Sequence, residues 1–145
     1  MIYSLTGTID HITDQSVIIN VNNIGYNVSC TTPLLNTLTK DETKTIITYH
    51  HFREDSQQLF GFKNIEDRNF FETLISVSGI GPKVAINILS SVDSNQLIHA
   101  IKSENVLFIT QCPGIGKKTA ERMIIELKDK VTPTESIATP ESTAN

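Results

Sequence analysis

Ser78-Gly79-Ile80-Gly81-Pro82-Lys83-Val84-Ala85 and Pro113-Gly114-Ile115-Gly116-Lys117-Lys118-Thr119-Ala120 carry one pattern twice, offset by 35 residues. Under that shift Gly79, Ile80 and Gly81 fall on Gly114, Ile115 and Gly116, Lys83 on Lys118, Ala85 on Ala120 and Leu74 on Ile109. Each copy reads as an apolar helix, a Gly-Ile-Gly turn and a second helix with a small Ala near its start, which is the pattern of a helix-hairpin-helix. The two glycines permit positive φ and let a ligand approach where a Cβ would block it. The helix that starts there points its free N–H groups and positive dipole end into the same space. Ile80 and Ile115 plug the paired helices together, and Ala85 and Ala120 let them approach closely. Such a nest of amides suits one phosphate, with Lys83 in the first copy and Lys117, Lys118 and Arg122 in the second in reach of flanking phosphates. Contacts of that sort read backbone and shape, not base sequence.

A single Gly-x-Gly before a helix is most often a tight connection and nothing more. Two copies at a fixed period, each with Lys just after the second Gly, shift the reading to phosphate binding. A dinucleotide or P-loop reading fails. No strand precedes either turn, no third Gly is in register, and Gly116-Lys117-Lys118-Thr119 lacks the loop glycine that a P-loop needs.

Outward from the repeat, the helical region starts at Asn64, which can cap a helix whose first turn holds Glu66 and Asp67. Phe70, Phe71, Leu74, Ile75 and Val77 give it an apolar face. Pro82 opens a helix to about Ser90. Asp93 with Gln96 makes a capping-box-like start for a helix through Ile101. Further helices are expected over Glu104–Gln111 and Lys117–Lys130.

Residues 1–62 have a different composition, rich in Ile, Val, Thr and Tyr with Gly, Asn and Asp at intervals. Strands are expected at Tyr3–Asp10, Ser16–Val21, Tyr26–Cys30, Lys44–His51 and Gln58–Phe62, with turns at Asp14-Gln15 and Asn22-Asn23-Ile24-Gly25. Thr32-Pro33 reads as an N-cap and first helical residue, opening a short turn through Leu38. Five short strands with a small helix between the third and fourth point to an OB-type barrel, with an SH3-like barrel as the competing topology. The expected fold is α+β: a five-stranded OB-fold barrel over 1–63, then an all-α unit over 64–131 with two helix-hairpin-helix motifs. Residues 132–145 hold Pro, Ser, Thr and Glu with Ile137 as the one large apolar side chain, and read as a flexible tail or the start of a linker.

The 145 residues carry 12 Lys+Arg against 16 Asp+Glu, a net charge of -4, which excludes nucleic-acid binding by bulk basicity. The balance is uneven along the chain. Residues 65–131 are neutral in sum, but their bases cluster after the two glycine turns. No apolar run approaches the roughly 18–20 residues of a membrane-spanning helix. Residues 1–7 lack the basic and apolar regions of a secretory signal. Cys30 and Cys112 form neither a disulfide framework nor a metal spacing, so a cytoplasmic location is expected.

The opening Met1-Ile2 with Leu5-Thr6-Gly7, then Gly25-Tyr26-Asn27-Val28, Arg53-Glu54-Asp55, Leu59-Phe60-Gly61-Phe62 and both glycine hairpins resemble the RuvA family, the junction-binding subunits of the bacterial branch-migration complex. The likeness runs in order from residue 1 to about 131. It implies a four-fold symmetric tetramer, alone or as two face-to-face tetramers, bound to a Holliday junction in recombination and repair. Barrels would lie at the centre and hairpins along the arms. It implies Glu54 and Asp55 as an acidic pin at the crossover, the RuvB helicase as the ATP-driven partner and the RuvC resolvase as a further one. It implies no catalytic residue, no cofactor and no metal. Family members usually continue into a third, small helical domain that contacts the motor. This chain ends inside the expected linker, so that domain is expected to be missing and motor coupling is in doubt.

The acidic pair has a physical reading beside that likeness. Carboxylates repel phosphates, and four pairs gathered by symmetry would hold the backbones of a crossover apart. Without the likeness, Glu54 and Asp55 read as two solvated charges in a hairpin loop. Two alternatives stand beside the junction scaffold: a generic duplex-binding module, and a metal-dependent, structure-specific nuclease using Glu54 and Asp55. His50 and His51 point to opposite faces of a strand and lack a third ligand. Asp41-Glu42 reads as a polar turn. Phe70 and Phe71 are spaced for a core or a subunit interface rather than for base stacking, and Cys112 as a small buried side chain.

Overall fold

The computed structural model describes residues 1–131. The tail expected over 132–145 lies outside the described residues. Five strands come first: β1 (Ser4–Ile12), β2 (Ser16–Val21), β3 (Ile24–Cys30), β4 (Thr43–Phe52) and β5 (Gln57–Phe62), with a one-turn helix α1 (Thr32–Leu35) between β3 and β4. They close into a barrel in the order β1-β2-β3-β5-β4. All neighbours are antiparallel except β3 and β5, which run parallel with Val28 opposite Leu59. This is the OB order, so the SH3-like alternative falls away. Ile9, Val17, Ile19, Val28 and Ile46 fill the interior with no exposed surface.

Two connections around β3 differ from the sequence expectation. The β2–β3 turn is two residues, not four: Asn22 and Asn23 take φ of 50° and 70°, and Val21 already pairs with Ile24. Asparagine tolerates the left-handed region, so two residues suffice to reverse the chain. The cap of α1 is Thr31, one residue before the expected Thr32; its hydroxyl accepts from the Leu34 N–H at 3.4 Å.

Five helices follow: α2 (Ile65–Ile75), α3 (Pro82–Ser91), α4 (Ser94–Lys102), α5 (Val106–Thr110) and α6 (Lys117–Leu127). Asn64 caps α2, accepting from Asp67 N–H at 2.8 Å. Asp93 caps α4 through Asn95 and Gln96 N–H. The α5 helix is shorter than expected because Glu104 sits at φ 56° and Asn105 caps one residue later, accepting from Phe108 N–H. Leu74, Ile88, Leu97, Ile109, Met123 and Leu127 are completely buried between these helices.

The barrel and the helices are joined through α2. Strand alternation sends Leu59 into the barrel while Phe60 and Phe62 face the helical core. Phe71 of α2 stacks among them, with ring centroids 5.2 Å from Phe60, 5.0 Å from Phe62 and 5.4 Å from Tyr49. Beside this cluster lies a buried cation. Arg68 donates through Nε to the Thr48 carbonyl at 2.9 Å, pairs with Glu72 at 3.1 Å and lies over the Tyr3 and Tyr49 rings at 4.7 and 5.5 Å.

Candidate nucleic-acid interface

The repeated sequence produces repeated geometry. Gly79 and Gly114 adopt φ of 94° and 80°, the left-handed region that glycine enters at no steric cost. Gly81 and Gly116 follow at φ −88° and ψ 173° and 175°, as the N-caps of α3 and α6, and neither has a side chain to cap the helix. Ile80 and Ile115 are each about 5% exposed, and their N–H groups bond the carbonyls of Val77 and Cys112. Ala85 and Ala120 are fully buried and close the first helical bond back to Gly81 and Gly116. The turns thus expose backbone while the intervening isoleucines anchor it.

The first-turn amides are the chemistry of the site. In α6 the N–H groups of Lys117, Lys118 and Thr119 precede the first helical bond. In α3 Pro82 has no N–H, which leaves Lys83 and Val84. A Cβ at Gly81 or Gly116 would meet nothing within 4 Å, so space stands open in front of both helix ends. Lys83, Lys117 and Lys118 are exposed, and among the described residues the ion pairs are Arg68–Glu72 and Lys128–Glu104, so these lysines are not neutralised by a carboxylate.

The two turns face one another about an approximate internal dyad. A Cβ at Gly79 would lie 3.7 Å from Thr119 Oγ1, and one at Gly114 would lie 3.5 Å from Val84; Val84 and Thr119 are equivalent positions in the repeat. Arg122 breaks the symmetry. The sequence groups it with the second turn, but its Nη1 donates to the Ser78 carbonyl beside the first, at 3.3 Å.

Glu54 and Asp55 lie far from the hairpins in sequence and occupy the tip of the β4–β5 connection. Arg53 and Ser56 close the turn, with Arg53 N–H to Ser56 O at 2.8 Å and the return bond at 3.4 Å. Both carboxylates are exposed. On the flank of the hairpin Arg53 Nε donates to His51 Nε2 at 3.0 Å, and burial together with the Arg53 charge holds the His51 pKa below its usual value. His51 packs near Phe60 and Tyr49, whereas His50 receives the Ile2 N–H on its Nδ1 at 3.3 Å. Among the described residues no group of three or more His, Cys, Asp or Glu is placed to hold a metal ion. Phe70, Phe71 and Cys112 are buried in the helical core. Cys30 is buried in the barrel core, where burial pushes its thiol pKa up to about 12.

Comparison with known proteins gives this arrangement a family. The description "RuvA N terminal domain" matches residues 1–61, and "SAM-like Helix-hairpin-helix tandem" matches residues 71–129. A relative from Oceanobacillus iheyensis, named as a Holliday junction branch migration complex subunit RuvA, is 45% identical over 94% of this chain and 68% of its own length. The chain belongs to the RuvA family. Relatives of the same name from Geobacter metallireducens and Geobacter sulfurreducens are 46% and 44% identical over 90% of this chain and 66% of their own length. The chain therefore spans about two thirds of the length of the curated RuvA relatives it matches.

The RuvA N-terminal description covers nearly the whole barrel and the helix-hairpin-helix description covers both hairpins, while residues 62–70 between them hold the start of α2. Arg68 lies in that interval. Sequence reasoning passed over it, because a single Arg on the charged first turns of a helix looks like a solvated side chain. Its one available signal was its position three residues before Phe71, on the face that turns toward β4. Thr119 was also passed over; its place opposite Gly79 follows only from the dyad.

Proposed function

We propose that this chain is a non-catalytic scaffold that binds four-way DNA junctions by shape. The paired Gly-Ile-Gly turns would grip phosphates on the arms, and the acidic β4–β5 tip would stand at the crossover. The observation that carries the reading is the pair of open, uncapped helix starts at Gly81 and Gly116, each preceded by a glycine at positive φ and flanked by unpaired lysine. Gly79, Ile80, Gly81 and Lys83 would form one phosphate seat, and Gly114, Ile115, Gly116, Lys117 and Lys118 the other, with Arg122 between them. The name carried by the relatives, a branch migration complex subunit, supports a role within a larger complex; the proposal adds that the chain works as a homotetramer in the cytoplasm beside a separate ATP-driven motor, RuvB. The working division is a barrel unit over 1–63 and a hairpin unit over 64–131.

A competition assay tests this directly. A labelled four-way junction bound to the chain is challenged with unlabelled junction or with linear duplex of equal length, in magnesium buffer, and the strands are then run on a denaturing gel. Junction should compete far better than duplex, and every strand should remain intact. Equal competition would leave a generic duplex-binding module, and specific nicks near the crossover would make Glu54 and Asp55 catalytic.

A further inference from the structure

Past its barrel contacts the β4–β5 hairpin continues as a two-stranded finger. β4 pairs with β1 only from Thr43 to Ile47, and β5 with β3 only from Leu59 to Gly61, so Phe52 and Gln57 near the tip pair with each other alone among the described strands. The finger has two faces. Tyr49, His51 and Phe60 share one, which packs toward α2. His50 and Phe52 share the other, with ring centroids 6.1 Å apart in an edge contact. Phe52 is 68% exposed there. His50, which Phe52 touches, lines a hollow of about 440 Å³ together with Ile2, Tyr26, Asn27 and Gln57 among others. That volume falls in the range of about 300–1,000 Å³ that accepts small ring compounds.

The polar groups of the hollow are ordered. His50 Nδ1 accepts the Ile2 N–H, so its Nε2 carries the proton and donates to Gln57 Oε1 at 3.0 Å. That bond orients the Gln57 carboxamide and leaves its NH₂ group as a donor. Asn27 adds a second carboxamide with both donor and acceptor, and Tyr26 adds a ring. Aromatic faces with carboxamide donors and acceptors are what an unpaired nucleobase binds. Extended strand advances about 3.3 Å per residue, which sets Phe52 and Gln57 only two residues' length from Glu54 and Asp55.

We propose that this open face of the finger receives an unstacked nucleobase, with Phe52 as its stacking platform and the hollow between Tyr26, Asn27 and Gln57 as its seat. The inference rests on the reading that the acidic tip stands at a crossover, where exchange of partners leaves bases briefly without one. The carboxylates would part the backbones and the ring beneath them would hold a base that the parting exposes.

The experiment uses four-way junctions carrying 5-iododeoxyuridine either at the crossover or in mid-arm, irradiated in complex with the whole chain, with the cross-linked residue mapped by mass spectrometry. Cross-linking from the crossover position to Phe52 or Tyr26, and none from mid-arm, is expected. Phe52→Ala should lower junction affinity by roughly 5- to 150-fold, the worth of one base stack. It should leave linear-duplex affinity unchanged, and Phe52→Trp should restore junction binding. Preference for junctions without any cross-link to the finger would overturn this inference while sparing the proposed function. A Phe52→Ala variant with altered mass in solution and equal losses on junction and duplex would also overturn it, since the ring would then be a contact between copies of the chain. A wild-type chain with no preference for junctions would sink both readings.

Discussion

Replacing Gly116 by Ser separates phosphate binding from folding because the two should move in opposite directions. Gly116 is the N-cap of α6 at φ −88° and ψ 175°, an extended conformation that serine also prefers at a cap. The added Cβ meets nothing within 4 Å. The new hydroxyl can accept from the Lys118 or Thr119 N–H, so the helix gains a cap where it had none, worth a few tenths of a kcal/mol. The same hydroxyl takes the amide that a phosphate would use and fills the space in front of it. A hydrogen bond to a charged group is worth about 1.5–3 kcal/mol, so affinity should fall roughly 10- to 150-fold. Fluorescence anisotropy with a labelled junction at fixed salt reads the binding, and a thermal melt reads the fold; the melting temperature should hold or rise by about 1 °C. Gly114→Ser is the control, since φ of 80° at that site costs a side chain about 1–2 kcal/mol and should lower the melting temperature. Gly81→Ser should cost less affinity than Gly116→Ser because Pro82 has already removed one amide. Unchanged junction affinity in a folded Gly116→Ser variant would refute the phosphate seat.

Lys118→Ala should weaken binding to every sequence alike and reduce the slope of log affinity against log salt by about 0.9; an unchanged slope in a salt titration would remove Lys118 from the contact. Glu54→Gln with Asp55→Asn should leave junction affinity equal or higher and raise duplex affinity relative to it, measured by competition; a sharp loss of junction binding would mean that the carboxylates make attractive contacts. Arg68→Met should cost about 2 kcal/mol in urea unfolding, because it leaves the buried Thr48 carbonyl without its charged donor; a loss under 0.5 kcal/mol would make the Tyr3 and Tyr49 packing sufficient by itself.

The hairpins were legible because their chemistry is local. A turn that needs positive φ selects glycine, a plug between helices selects isoleucine, and close helices select alanine, so the pattern survives in a dozen letters and doubles when the unit does. Barrel closure was legible from composition and strand count. The placement of Arg122 was not, because its partner, the Ser78 carbonyl, lies 44 residues away on the other turn. Arg68 failed for the same reason: its value comes from Thr48 and two tyrosines on other elements. Helix ends were misread where an asparagine cap and a left-handed residue, Asn105 and Glu104, shift the start of a helix without changing its apolar periodicity. The acidic tip was legible as a hairpin loop from the residues; its role came only with the family likeness.

A chain of net charge -4 cannot hold DNA by bulk basicity, so the cations beside the two turns set a bound on the charged part of its affinity. Four cations, Lys83, Lys117, Lys118 and Arg122, flank the two turns. Amides that accept a phosphate there would displace no counterion of their own. If each cation neutralises one phosphate, the salt slope per chain is at most about 3.6 on duplex arms. Arg122 already donates to the Ser78 carbonyl, so its contribution requires that bond to be shared or exchanged, which places the expected slope nearer 2.7, the value for three phosphates. A titration from low to moderate salt, with the number of chains per junction fixed by a mass measurement, reads this number. A slope well above 3.6 per chain would mean that cations outside the hairpins touch DNA. The bases from which such contacts would come are Lys40, Lys44, Arg53 and Lys63 on the barrel side and Lys102, Lys128 and Lys130 on the helical side.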